Sequence, residues 1–271
     1  MNPTPFKAIP INGNDFWIPS DLELAVPEGK TADLRQRCAL VYIPWRETYL
    51  NLVDSAYRDF FSTVLPYLHV RTTDVHVAIC LPLIKPLMED IGEPVDARVI
   101  YVAFILHDAG WSQLSDAEIA DSLGVTGVAL SGKAVTPKVK HALLGQEIAQ
   151  SILSTYSFQP ELTDAQKELV DQAILYHDRP EELARDGRIP TSIKIVCDVD
   201  HLWTFTHENF WQDTIRKMVA PEQYAQNLLH DLNGYFITSQ GKKKALDMLN
   251  KRQLEVAAWT RWKTQMGAMH S

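Results

Sequence analysis

Val99-Ile100-Tyr101-Val102-Ala103-Phe104-Ile105-Leu106-His107-Asp108-Ala109-Gly110-Trp111 is an apolar run of helix length that ends abruptly in His-Asp, with a glycine two residues further on. Gly110 suits the left-handed turn that closes many helices, so the pair is expected at the last turn of a buried helix. A carboxylate buried there is costly unless something positive pairs with it, and a metal ion is one such partner. Neighbouring side chains on a helix diverge by roughly 100°, so His107 and Asp108 can serve two ion positions rather than one. A plain His-Asp hydrogen bond at a helix end is the other reading, and the remaining polar residues of the chain have to decide between them.

Upstream, Trp45, Tyr49, Leu52, Val53, Ala56, Phe60 and Val64 recur at helical spacing, and Pro66 is expected to end that helix. A second helix should begin near Thr73 and place His76 on the side of Ile79, Cys80 and Leu83, with Pro82 and Pro86 interrupting its far end. Downstream, Ser115 and Glu118 have capping-box spacing, and residues 124–137, with three glycines, read as a loop or a substrate lid in which Lys133 carries little weight. Thr136-Pro137 is a helix start, and His141 then shares a face with Leu144, Gly145, Ile148 and Ile152. Thr163 and Gln166 form a second capping box, after which Leu169, Val170, Ala173, Ile174 and His177 line one side. Ser192 is a further cap candidate, and Asp198 falls with Ile195, Val199 and Leu202. The rest is helical with breaks near Pro221, Gly234 and Gly241, and its last helix offers a core-docking or homodimer face.

The chain thus reads as all-α, without convincing strand pairs. Residues 1–30, with five prolines, are expected as an extended arm, and 31–271 as a single helical domain. A net charge of −8 argues against a nucleic-acid or anionic-membrane surface. Three widely spaced cysteines argue for free thiols, and with no signal pattern or bilayer-length apolar run the expected location is cytoplasmic.

His76, His107, Asp108, His141, His177 and Asp198 all fall on or at the end of apolar faces of successive helices, and a bundle converges such faces on one centre. Four imidazoles and two carboxylates match the needs of two divalent ions with one carboxylate bridging. Iron, manganese, zinc, cobalt and nickel all accept that mixture.

The order of these residues resembles the HD-domain superfamily of metal-dependent phosphohydrolases. Leu106-His-Asp-Ala-Gly110 is similar to the family's His-Asp-x-Gly, Lys140 to Leu153 to its His-x3-Gly-x-Glu helix, and Ile195-Val-Cys-Asp198 to its terminal Val-Ala-Asp. The resemblance covers about Arg71 to Thr206. It implies an HD-type helical bundle in which His76, His107, Asp108 and Asp198 are the core ligands, Asp108 bridges, and His141 and His177 complete a second site. Trp111 stands where many dinuclear members carry a lysine, and Tyr176 where the HD-GYP phosphodiesterases have the first of two histidines. Cyclic-di-GMP is therefore not the expected substrate.

Two activities follow from the resemblance. A phosphohydrolase would use metal-activated water on a small, anionic phosphoester, with Arg179, Lys140 or Lys194 neutralising the phosphate. A mixed-valent diiron oxygenase would cleave a C–H, C–C or C–P bond of a small polyol or phosphonate with the same ligands. Hydrolysis is the commoner chemistry on this scaffold and is the first expectation; a non-catalytic sensor is opposed by the intact set of six ligands.

Overall fold

The computed structural model describes residues 5–27, 33–92, 94–122 and 136–269. The chain opens with strands β1 (Phe6–Ile11) and β2 (Asn14–Pro19), then α1 (Leu34–Ala39), a 3-10 turn (Glu47–Leu52), α2 (Arg58–Leu68), α3 (Thr73–Ile91) and α4 (Ala97–Leu106). A 3-10 segment (Ala109–Gln113) leads to α5 (Asp116–Ser122), α6 (Pro137–Thr155), α7 (Asp164–Tyr176), α8 (Pro180–Arg185) and α9 (Thr191–Leu202). A 3-10 turn (Trp203–Phe205), α10 (His207–Arg216), α11 (Pro221–Tyr235) and α12 (Ser239–Met269) complete it. The fold is an all-α bundle with one two-stranded sheet among the described residues.

α4 is its axis. Val99, Ile100 and every residue from Val102 to Leu106 are fully buried, because α3, α7 and α9 pack around this helix. A helix enclosed on several sides needs an unbroken apolar run rather than a stripe. Asp96 starts it by accepting the Val99 N–H at 3.1 Å. α6 packs along the Ala109–Gln113 segment and α7, which delivers two further helix faces to the end of α4.

Several local expectations change. The arm is a β-hairpin whose two-residue turn, Asn12-Gly13, has φ of +48° and +76°. These are the two left-handed positions that a type I′ turn requires, and Asn-Gly is its usual sequence. The hairpin buries Phe6, Ile11 and Ile18 and sets Phe6 against Trp211 and Trp262. The helix expected from Trp45 is split where Asp54 accepts the Ala56 N–H at 2.9 Å, a side-chain turn that competes with helix; Pro66 lies inside α2. α3 runs through Pro82 and Pro86 without a break. The two prolines, one turn apart, share its exposed face, where the carbonyls they free can meet water. The Thr136 cap and the Ser115 and Thr163 capping boxes form as read. Ser192 instead sits inside α9 and accepts the Asp96 N–H. The loop expected over 124–137 lies outside the described residues as far as 135.

Cys38, Cys80 and Cys197 are buried free thiols. Among the described residues, no helix is long and apolar enough to cross a membrane.

Candidate metal centre

The ends of α3, α4, α6, α7 and α9 bring their polar side chains to one buried point. His76 enters from the first turn of α3, and His107 and Asp108 follow the last residue of α4. His141 comes from the second turn of α6, His177 from the C-cap of α7, and a carboxylate from α9. Five of the six expected residues are present. The sixth is Asp200, not Asp198.

Asp198 is turned away. Its carboxylate accepts the backbone N–H groups of Ile237 and Thr238 at 2.8 and 3.0 Å and the Thr238 hydroxyl at 2.5 Å, closing the entry to α12. Burial pushes this carboxyl up, against those bonds. Asp200, two residues on and so roughly 200° around the helix, points Oδ1 at His76 Nε2 (3.4 Å) and His107 Nε2 (3.3 Å).

Asp108 lies between two halves of the cluster. Its Oδ2 is 3.3 Å from His76 Nδ1 and 3.5 Å from His107 Nε2. Its Oδ1 is 3.5 Å from His141 Nε2 and 3.6 Å from His177 Nε2. Two groups result, His76-His107-Asp108-Asp200 and Asp108-His141-His177, each with its ligand atoms within 4.8 Å of one another. Metal–ligand distances of about 2.1 Å put neighbouring ligand atoms roughly 3.0 to 3.4 Å apart, depending on coordination angle, close to the separations seen.

Hydrogen bonding and packing hold the ring nitrogens in a form suited to an ion. His107 Nδ1 donates to the Phe104 carbonyl and His177 Nδ1 to the Ile174 carbonyl, both at 2.6 Å, which turns each Nε2 towards the centre. His76 Nε2, His107 Nε2 and His141 Nδ1 are buried with no hydrogen-bond partner among the described residues. His141 Nε2 and His177 Nε2 face each other at 3.0 Å, a spacing that requires a proton or a cation between them. Three rings are held flat against aromatic neighbours: His76 on Trp203, His107 on Phe104 and His141 on Trp111. Trp111 also donates from Nε1 to Asp108 Oδ1 at 2.9 Å, fixing the carboxylate that lies between the two groups.

The electrostatics call for positive charge. Burial would push the Asp108 and Asp200 carboxyls up, yet the facing histidines, His107 above all, hold both below the usual range. Burial lowers His107, but the two carboxylates outweigh it and carry the imidazole to about 9. Burial pushes His76 and His141 down. An ion at this point satisfies carboxylates and bare nitrogens together, so the donor set fits divalent metals.

Residues 73–203 match the family model described as HD domain. The chain carries an HD domain. HD domains belong to a superfamily of metal-dependent phosphohydrolases, and the His/Asp cluster assembled here could hold a metal ion. No curated protein and no solved structure matched the chain.

The HD centre opens into a cavity of about 260 Å³. The cations expected to face substrate are elsewhere. Arg179 pairs with Glu182 and lies over Tyr176, Lys140 pairs with Glu118 at 2.8 Å, and neither these two nor Lys194 lines the cavity. Among the described residues its cations are Arg71, Lys138, Arg216 and Lys217. Lys138 could have been found from its position two residues, roughly 200°, before Lys140 on α6. Arg71 and Thr72 carried no such signal: both sit in a left-handed turn, at φ +56° and +72°, that costs about 1–2 kcal/mol per residue without glycine. α10, outside the matched segment, holds that turn. Arg216 donates from Nη2 to the Arg71 carbonyl at 3.0 Å, and Gln212 from Nε2 to Thr72 Oγ1 at 2.8 Å.

Proposed function

We propose that this HD-domain protein is a dinuclear metal-dependent phosphohydrolase acting on a small phosphoester. The observation that supports it is the placement of Asp108, with one carboxylate oxygen towards His76 and His107 and the other towards His141 and His177. Asp200 completes the first group, so the two sites are unequal, with four and three ligand residues. Bound divalent ions would lower the pKa of a shared water towards neutrality and polarise a phosphoryl oxygen.

The protein's own part is preorganisation. Phe104 and Ile174 carbonyls fix two imidazole tautomers, Trp111 holds the Asp108 carboxylate that would serve both ions, and aromatic faces prevent the rings from turning. The cavity has room for a small molecule at the ligands, which favours a compact ester over a polymer.

Four imidazoles and two carboxylates equally match a diiron oxygenase, so metal identity is the deciding measurement. Protein purified without chelator and without oxygen is analysed for metals and assayed against a phosphoester panel. Manganese, cobalt, nickel or zinc with phosphate release supports the hydrolase. About two irons per chain, with dioxygen uptake on small polyols or phosphonates, replaces it by the oxygenase. Absence of metal after reconstitution overturns both.

A further inference from the structure

We infer that Arg71 is the anion receptor of this cavity, taking a phosphoryl dianion through its guanidinium, with Trp111 as the platform that holds it in place. The choice follows from the charges on the cavity wall. Lys138 is engaged by Asp178 at 3.0 Å, Lys217 by Asp213 at 2.8 Å, and Arg216 is spent on the Val41 and Arg71 carbonyls with Asp213 at 3.9 Å. Among the described residues, the Arg71 guanidinium has no carboxylate or carbonyl partner. It lies over the Trp111 ring, 4.2 Å from the guanidinium carbon to the ring centre.

A cation stacked on an aromatic face keeps its in-plane N–H donors free, and a guanidinium presents them in the fork that matches two phosphoryl oxygens. The same indole ring lies flat on His141 on a stack 4.1 Å deep and donates to Asp108, so Arg71 is registered against both halves of the centre through one side chain. The left-handed backbone at Arg71 and Thr72 is a second, independent sign. Two consecutive non-glycine residues in that region persist only where their surroundings enforce it, and Arg216 and Gln212 do so from α10. Strain concentrated at the residue carrying the free cation fits a positioned binding group. The inference takes the class of anion from the phosphohydrolase reading; the identity of the unpaired cation is independent of it.

Calorimetric titration of the purified, metal-containing protein with inorganic phosphate, and in parallel with methylphosphonate, tests this. Arg71→Met should weaken phosphate binding roughly 10- to 100-fold, the range expected for losing charge-assisted hydrogen bonds. Arg71→Lys should give an intermediate loss, because it keeps the charge without the fork, and Lys138→Met should bind within about threefold of wild type. Circular dichroism and metal content serve as controls for folding, and if Arg71→Met does not fold, the lysine variant decides. Wild-type affinity in Arg71→Lys and Arg71→Met, an equal loss in Lys138→Met, or no phosphate binding by the wild type overturns the inference. Arg71-dependent phosphate binding without any phosphoester turnover would sink the hydrolase reading alone. Turnover with an unchanged KM in Arg71→Lys would sink this inference alone. Methylphosphonate binding in place of phosphate would overturn it as well.

Discussion

On α9, Asp198 reaches towards Ile237 and Thr238 while Asp200 reaches towards His76 and His107, so side chains two residues apart serve folding and the metal centre respectively. Asp200→Asn should lower metal content by about one ion per chain and leave the fold intact, since it removes a ligand from the first group only. Asp198→Asn should instead keep metal stoichiometry while destabilising the protein by about 1–3 kcal/mol, because an amide cannot accept all three donors at the α12 entry. Elemental analysis with thermal unfolding separates them, and a metal deficit confined to the Asp198 variant would reverse the assignment. The sequence could not make this distinction. Ile195, Val199 and Leu202 define a face that includes Asp198, but α9 is buried around most of its circumference, so hydrophobic period does not single out one inward side. His76, His107, His141 and His177 were legible because each stands at the end of a helix that keeps a clear apolar face or run. Arg71 was not, since a left-handed turn leaves no periodic trace.

The link between α4 and α6 depends on a glycine for a reason other than the one its position suggests. Gly110 is not left-handed. A Cβ there would lie 1.9 Å from the His141 carbonyl oxygen and 2.6 Å from the Gly145 nitrogen, both main-chain atoms with nowhere to go. The glycine of the His-Asp-x-Gly segment therefore lets α6 approach closely enough to place His141 opposite Asp108. Gly110→Ala should push α6 outward, costing about 3 kcal/mol or more and emptying the His141-His177 half of the centre. Gly187→Ala, where an added Cβ meets nothing within 4 Å, should stay within about 0.5 kcal/mol of wild type. Equal stability of the two variants would refute this account. The β-hairpin carries two competing signals in the sequence: Asn12-Gly13 specifies the turn, whereas five nearby prolines suggest an arm.

At the scale of the molecule, the matched segment 73–203 is embedded in the chain around it. The strained turn just before it is held by Gln212 and Arg216, its last helix by the α12 entry, and Trp211 and Trp262 join the hairpin to α10 and α12. A fragment of residues 71–206 should fail to fold or to retain metal, because Asp198 and Thr72 would lose buried partners and α9 its apolar cover. A cooperative unfolding transition and metal retention in that fragment would show the segment to be autonomous.

Asp198 gives the carboxyl-terminal helix a share in the centre that no direct contact provides. α9 is one rigid rod clamped to α12 by one carboxylate and presenting the next to the histidine cluster, so that binding of an ion there and docking of the helix would be thermodynamically linked. Whatever free energy docking contributes to the placement of Asp200 is returned, in equal measure, as protection of the docked helix when an ion is held. The Ile237 and Thr238 amides thereby become distant reporters of metal loading, exchanging their hydrogens more slowly in the loaded protein than in the stripped one.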